Sequence, residues 1–368
     1  MIRVLEIVSD SNIGGAGIWI RNYAAGYSSN AIELAVALPR GAALTPLLEQ
    51  CGCRVIECDM EPDRSMSMRS VNVLRNVIAA FRPQVVHTHG SLAGRIAAKS
   101  CGIYTIYTKH TLSPVAKGIR KSVRGSLDNA LADCVIACSA CARDNLIANG
   151  VAPGKIEVVY NGCEDAPVFS EEERRARRAA LGIRPEDIVF SIVARLAPIK
   201  DHDTLLRAAA KAALPQAKYL IVGGGECEEK LKARAAELGI AEQCIFTGQL
   251  PGARDIYPLV EANVLCSLSE NMPISLVESM AAARPCIASR VGGMEEVARN
   301  GKTALMFRAG DDEMLAAHLR RLYEEPELRE KLGSAGRARF LEKFTLGRCV
   351  AETEKIYGRI GGYQNGQE

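Results

Sequence analysis

The sequence predicts an α/β protein of two doubly wound domains, each built on a parallel sheet. Three observations predict it. Short apolar runs alternate with longer amphipathic stretches from end to end, the pattern of buried parallel strands and their crossover helices. A single highly charged stretch interrupts the alternation, which then resumes. The 368 residues are too many for one ordinary domain and suit two.

In the first series, "RVLEIVS", "IELAVAL", "CRVIEC", "VVHTHG", "TIYTKH" and "CVIACS" read as strands. Helical patterns such as "WIRNYAAGY" and "RSVNVLRNVIAAF" lie between them. The break is "FSEEERRARRAALGIRPED", a charged helix ending at Gly182 and Pro185 that reads as a solvated linker. The boundary is expected near Asp165, with domains at 1–165 and 166–345. The second series runs "IVFSIVARL", "KYLIVGGG", "CIFTGQL", "ANVLCSLS", "PCIASRV" and "ALMF". From Asp311 on the chain reads as helical. A last helix, about Leu346 to Arg359, is expected to pack back on the first domain, and "GGYQNGQE" reads as a disordered tail.

Composition narrows the function. A net charge of +3 from 46 basic and 43 acidic residues gives no footprint for nucleic acid. No apolar run reaches the length of a membrane-spanning helix. The N-terminal segment lacks the features of a signal peptide and reads as a first strand. Thirteen cysteines without an export signal suggest reduced thiols in a cytoplasmic protein rather than a disulfide framework.

Two segments carry chemistry. In "LCSLSENMPISLVESMAAARP" a strand ends at Ser267 to Ser269, and a short loop leads to a helix starting near Ser275. Free backbone N–H groups and the positive helix end at such a junction suit a phosphate. Glu270 and Glu278 would repel phosphate but suit sugar hydroxyls, which make strong hydrogen bonds to a charged acceptor. Ser275 and Glu278 also fit an S-x-x-E capping box, which alone explains Glu278. In "VFSIVARLAPIKDHDTLLRAAA" a strand ends near Ala194, Arg195 and Lys200 follow, and Asp203 or Thr204 would cap the next helix. Two cations at the carboxyl end of a parallel strand sit where open α/β sheets bind ligands. They suit a diphosphate leaving group, or they are solvated surface cations.

Other features leave alternatives open. Gly14 and Gly15 after the first strand allow close backbone approach to a ligand, or make a tight turn. The "GGAG" spacing does not match a dinucleotide fingerprint. His110 lies just past a strand end, on the ligand side of the sheet or as a capping or core imidazole. His87 and His89 point to one face of a strand, but no further metal ligand is evident nearby, and both read as structural, with His89 a candidate neighbour of the acceptor. Cys134, Cys138 and Cys141 have the spacing of a radical-enzyme cluster motif, yet lie on a strand and helix cap and read as coincidence. Lys117, Arg120, Lys121 and Arg124 either meet an anionic acceptor or membrane surface, or form a solvated helix face.

The glutamate pair in "SENMPISLVESM" and the Arg–Lys pair in "ARLAPIK", with "VGGGE", "FTGQL", "VGGMEEVARNGKTALMF" and "NIGGAG", resemble glycosyltransferase family 4 over nearly the whole chain. The resemblance implies the GT-B fold: two Rossmann-like domains facing across a cleft, the first on the acceptor side and the second binding the nucleotide sugar. It implies that Arg195 and Lys200 hold the diphosphate, Glu278 the ribose hydroxyls and Glu270 the donor sugar. Backbone N–H groups of Leu276 and Val277 would help bind phosphate. Gly224 and Gly248 would line the donor site, Gly248 meeting the base through main-chain atoms. Gly15 would lie beside the diphosphate and acceptor, and His110 would reach the donor sugar and phosphate. Ala194 and Asp201 replace frequent glycines without removing a charge, and so does Asn271, which leaves the donor sugar open.

The implied reaction is hexosyl transfer with retention of anomeric configuration. The donor is a UDP-sugar by first preference and GDP-mannose by second. The acceptor is a glycan or lipid-linked precursor of cell-surface polysaccharide, and no metal or other cofactor is implied. Closure about residues 164–187 would complete the site. Two rivals share the scaffold, a sugar-nucleotide epimerase and a non-catalytic nucleotide-sugar-binding partner.

Overall fold

The computed structural model describes residues 1–360 except Asn12 and Pro251; the closing "GGYQNGQE" lies outside the described residues. The chain divides into two compact units, Met1–Gly162 together with the residues from Leu346 onward, and Cys163–Thr345. The division falls three residues before the expected boundary. Cys163 starts the second unit by pairing with Thr345 at that unit's far end.

The first unit carries seven parallel strands: β1 (Ile2–Val8), β2 (Ile32–Pro39), β3 (Arg54–Cys58), β4 (Val85–His89), β5 (Tyr104–Lys109), β6 (Cys134–Ala137) and β7 (Ile156–Val158). Their order is β3-β2-β1-β4-β5-β6-β7. The direction of winding therefore reverses between β1 and β4. Its helices are α1 (Gly15–Gly26), α2 (Thr45–Gln50), α3 (Met68–Phe81), α4 (Leu92–Ser100), α5 (Ile119–Leu131) and α6 (Ala140–Ala148). Strand alternation sends Val4 and Val8 to one face, with Trp19, Ile20 and Tyr23 of α1, and Leu5 and Ile7 to the other, with Val71, Leu74 and Ala97 of α3 and α4. The last helix of the chain, Leu346–Tyr357, closes the first of these faces with Val350, Ile356 and Tyr357. Glu354 anchors it by accepting from the Ser28 backbone N–H and hydroxyl, each at 2.8 Å.

The second unit holds α7 (Glu171–Ala180), β8 (Ile188–Val193), α8 (His202–Ala212), β9 (Ala217–Val222), α9 (Glu228–Glu237) and β10 (Cys244–Gly248). It continues with β11 (Ala262–Leu265), α10 (Ile274–Ala281), β12 (Cys286–Ser289), α11 (Met294–Val297), β13 (Ala304–Phe307), α12 (Asp312–Glu324) and α13 (Pro326–Lys343). The last helix is thus α14. The strand order is β10-β9-β8-β11-β12-β13, all neighbours parallel, so winding reverses between β8 and β11. Phe190, Ile192, Leu205, Tyr219 and Leu319 build the core on one face, and Val189, Leu220, Val222 and Ile256 build the other.

The charged stretch is not a solvated linker. Ser170 and Glu173 form a capping box at the start of α7, with the acidic residues in the first turn, as the helix dipole favours. Arg178 is buried and donates to the carbonyls of Leu259 (2.8 Å) and Asp187 (2.6 Å), and it pairs with Glu261. Arg174 joins the same carboxylate. A charged helix looks solvated by composition, yet this one is pinned to the second unit by guanidinium groups satisfying main-chain oxygens.

Candidate active site

In the second unit the loops that follow β8 and β11 flank the reversal of winding, where open α/β sheets bind ligands. Main-chain hydrogen bonds join them to the neighbouring loops. Leu196 N–H donates to Gly224 O at 3.0 Å, Gly223 N–H to Gly248 O at 2.9 Å, and Leu268 N–H to Ile199 O at 2.9 Å. The sequence singles out Gly224, but its neighbours are the glycines the backbone demands. Gly223 and Gly225 have φ of +140° and +156°, and a Cβ would stand 2.1 Å from Ala194 O and 2.4 Å from Leu196 O. Only glycine permits both conformation and approach. Gly248 has φ +68°, and its carbonyl also accepts from the Thr247 hydroxyl.

This scaffold brings Lys200 and Glu270 together. The Lys200 ammonium bonds Glu270 Oε1, which also accepts from Ser267 Oγ at 2.8 Å. The Lys200 side chain is 23% exposed and that of Glu270 11%. Both bonds fall on Oε1, so Oε2 keeps its accepting capacity among the described residues. Ser289 Oγ holds Ser267 by its carbonyl at 2.7 Å. Arg195 is exposed two residues beyond β8 and forms no ion pair among the described residues. One guanidinium is thus available to an anion, while the ammonium orients a carboxylate. Asp201 sits at φ +48° as N-cap of α8, a left-handed position that favours glycine. Thr204 Oγ1 bonds Asp201 Oδ2 at 2.6 Å, so Asp201, rather than Asp203 or Thr204, heads this helix.

The Ser275–Glu278 capping box is not formed. Pro273 is the N-cap of α10 and the helix begins at Ile274, which puts Ser275 inside it and Glu278 at its fifth residue rather than in the first turn. Glu278 faces the phenol of Tyr257; burial first, and then the Glu278 charge, push that phenol well above its usual pKa. Of the two backbone N–H groups named from the sequence, that of Leu276 is bonded to Pro273 O at 3.2 Å.

In the first unit, a Cβ at Gly14 or Gly15 would meet nothing within 4 Å, so the end of α1 that follows β1 is open. Beside it lies a cluster only partly visible in the sequence. Glu6 of β1 is register partner of His87 in β4, and Val8 of His89. The Glu6 carboxylate, fully buried, lies 3.2 Å from His87 Nδ1 and 2.5 Å from His89 Nε2, and accepts from the Tyr357 hydroxyl at 2.8 Å. His87 Nδ1 lies 2.7 Å from that hydroxyl, and its Nε2 lies 2.6 Å from Thr108 Oγ1. His89 Nδ1 meets His110 Nε2 at 2.7 Å, and His110 Nδ1 faces Cys138 Sγ at 3.8 Å. Trp19 covers the cluster, its ring 4.9 Å from His89 and 6.0 Å from His110.

Burial alone would push the Glu6 carboxyl up, but the charge of the facing His87 and His89 and their hydrogen bonds outweigh it and hold the group well below the usual carboxylate range. Burial pushes His89 down to about 4 and His110 well below its usual value. Glu6, His87 and His89 are the set among the described residues whose ligand atoms converge, within 4.8 Å of one another. Glu6 is the further ligand type not evident from the sequence, and the hydrogen bonds account for all three. Both ring nitrogens of His110 are engaged, so it does not stand as a free hydrogen-bonding group. Cys138 faces His110, Cys134 lies on β6 and Cys141 on α6, and they form no convergent set among the described residues.

Comparison with known proteins adds the family. The family model "Glycosyl transferases group 1" matches residues 173–339, and "Glycosyltransferase Family 4" matches residues 13–166. EpsD of Bacillus subtilis, named a glycosyltransferase, is 28% identical over 302 residues, 77% of this chain and 78% of its own. A D-inositol 3-phosphate glycosyltransferase of Acidothermus cellulolyticus is 31% identical over 285 residues, 67% of this chain and 61% of that enzyme, so the chain spans about three fifths of that relative's length. Among solved structures, Anabaena Alr3699/HepE in complex with UDP and glucose superposes with a TM-score of 0.86, at 21% identity over 97% of this chain and 100% of that one. Two family models that between them take in most of both units, on a scaffold shared with GT-B structures, make the chain a glycosyltransferase of family 4.

Proposed function

We propose that the chain moves a sugar with retention of configuration from a nucleoside diphosphate sugar, UDP-linked before GDP-linked, to a glycan or lipid-linked acceptor of cell-surface polysaccharide synthesis. The observation that carries the donor assignment is the Lys200–Glu270 pair at the reversal of winding in the second unit, with Arg195, which forms no ion pair among the described residues, on the loop of Lys200. A UDP complex and a UDP-glucose complex of Alr3699/HepE support the choice of base.

Cleavage of the anomeric C–O bond leaves positive charge on the sugar and negative charge on the departing diphosphate. Arg195 and Lys200 stabilise that anion, which makes a metal unnecessary, and the N-terminal end of α10 adds its dipole. Glu270 Oε2 accepts from the sugar's hydroxyls while Oε1 stays with Lys200 and Ser267. Glu278 takes the ribose. The acceptor hydroxyl attacks from the leaving-group face, and a donor phosphate oxygen takes its proton. Arg195→Ala should lower turnover about 100-fold or more with the thermal transition unchanged. Thermal-shift screening against UDP- and GDP-sugars, followed by product analysis, tests the assignment. Unaltered turnover in Arg195→Ala, or conversion of the donor alone into an epimer, would refute it.

A peripheral membrane contact also belongs to this proposal. Ile119, Val123 and Leu127 recur every fourth residue of α5 and are exposed, beside the exposed cations Lys117, Arg120 and Lys121. Such a face suits an anionic lipid surface. Co-sedimentation with vesicles containing an anionic phospholipid should be lost in Ile119→Asp; no sedimentation of the wild-type protein would remove the contact.

A further inference from the structure

The second unit gathers cations at both ends of its sheet, and those at the far end from Lys200 and Glu270 have no role in the proposed reaction. Glu261 immediately precedes β11 and Pro285 immediately precedes β12, so both lie at the amino ends of neighbouring strands. Between them and α13 lies a cavity of about 330 Å³, whose walls include Glu261, Arg284, Pro285, Arg329, Glu330 and Ser334. Small-molecule sites begin at about this size.

Charge at this end is unbalanced. The Glu261 carboxylate is already engaged by Arg174 at 3.1 Å, by Arg178 at 3.2 Å and by the Val189 N–H at 2.7 Å. Arg284 is a further guanidinium near that carboxylate and forms no ion pair among the described residues. Its Nη2 donates to Pro258 O at 3.2 Å, the same oxygen that accepts from Arg174 Nε at 3.2 Å, so two like charges share one acceptor. Its Nε is buried and has no partner among the described residues. Burial, and then the charge of Arg174, push its pKa below the usual value. A guanidinium keeps its proton even so, which leaves the positive charge in place.

The backbone fixes Arg284 in this position. Ala283 before it takes φ +54°, a left-handed conformation uncommon for alanine. Arg284 N–H donates to Ser279 O at 2.9 Å, and Ser279 Oγ donates to Arg284 O at 3.2 Å. A Cβ at Gly333 would stand 2.1 Å from Ala283 O, so α13 approaches this turn as closely as a glycine allows. On the α13 wall, Arg329 spends Nη1 on the carbonyls of Leu322 and Tyr323, and its Nε and Nη2 make no hydrogen bond among the described residues.

We infer that this cavity is a binding site for a phosphomonoester, whose phosphate bridges Arg284 and Arg329 and whose hydroxyl-bearing body meets Ser334 and Glu330. Guanidinium forks from two walls suit a doubly charged tetrahedral anion. Glu330 and Ser334 are exposed at the rim. A carboxylate there repels phosphate oxygens but accepts from hydroxyls, which favours an ester over a bare phosphate. None of these side chains belongs to the donor loops, so the cavity and the transferase reading stand or fall separately.

The test is a titration of the 15N-labelled full-length protein, with UDP in excess to occupy the donor loops, using inorganic phosphate, mannose 6-phosphate and mannose as probes. Both phosphates should shift the amides of Ala283, Arg284, Glu330 and Ser334 saturably, the ester at the lower concentration, and mannose should not. Binding should weaken below about pH 6, where the phosphate takes up its second proton. By calorimetry, Arg284→Met should weaken mannose 6-phosphate binding about tenfold or more, and so should Arg329→Met, which serves if the first variant does not fold. No saturable shift at those amides in the wild-type protein would overturn the inference, as would wild-type affinity in folded Arg284→Met. Inorganic phosphate binding as tightly as the ester would overturn the assignment to a monoester. Failure of UDP to bind would count against the proposed function, while shifts at those four amides would still report the cavity.

Discussion

Replacing Lys200 by methionine separates the role the structure gives its ammonium, holding Glu270, from the role proposed for it at the diphosphate. Lys200 is bonded to Glu270 Oε1, and both side chains are largely sheltered, 23% and 11% exposed. At that burial, loss of the ammonium costs more than a surface pair; about 1–3 kcal/mol is expected because Glu270 keeps only the Ser267 hydroxyl on that oxygen. If Lys200 also faces the departing diphosphate, its removal forfeits a preorganised donor worth about 3–4 kcal/mol, or some 100- to 1000-fold in kcat. A double-mutant cycle with Glu270→Gln distinguishes the roles. Should Lys200 act only by orienting Glu270, the double variant will be no slower than Glu270→Gln alone. Should it act on the diphosphate as well, the double variant will be slower by at least about tenfold. Initial rates of nucleoside diphosphate release, with circular dichroism melts to check the fold, provide the measurement. Lys200→Met within about threefold of wild type in kcat/KM would refute both roles.

Three further outcomes follow from packing and charge. Gly225→Ala should impair donor binding and lower stability by about 1–3 kcal/mol or more, because its Cβ meets Leu196 O at 2.4 Å in a conformation alanine avoids; chemical denaturation and donor titration report it. Arg178→Ala should cost about 3–5 kcal/mol by leaving Glu261 short of a partner and two carbonyls without a donor, read as a fall in the denaturation midpoint. His202 is buried with neither ring nitrogen bonded among the described residues, and burial, then the Lys200 charge, push it down to about 4 from 6.5. Between those values the unfolded chain takes a proton that the folded chain refuses. Stability should therefore fall by up to about 3 kcal/mol as pH drops from 6.5 to 4, then level off. His202→Leu should flatten that part of the pH–stability curve; an unchanged slope would place the titration elsewhere.

The strands were legible because buried parallel strands are short, apolar and bounded, and six runs in each series correspond to observed strands. The seventh strand of the first unit, Ile156–Val158, escaped notice: three half-buried residues with a central glutamate carry no periodicity. Lys200 and Glu270 were legible as charges at strand ends, a local signal. What failed was what depends on distant partners. Arg178 reads as one more charge in an exposed helix, since its carbonyls come from as far as 81 residues away. Ser275 and Glu278 have capping-box spacing, but the helix starts two residues too early for it. Glu6 did leave a trace, a lone carboxylate inside an apolar strand, where burial requires partners. The histidines that supply them lie more than 80 residues on. Trp19 gave no signal beyond being the one tryptophan.

The bond between Tyr357 and Glu6 joins residues 351 apart in sequence, within one unit. During synthesis the first strand leaves the ribosome long before its phenol partner exists, and the second unit is made in between. The first unit is therefore a vessel whose lid is cast last. A chain cut after Thr345 should keep a cooperative melt for residues 163–345 while amides of β1 and β4 exchange freely with solvent. Protection of those strands in the shortened chain would show that the closing helix is dispensable.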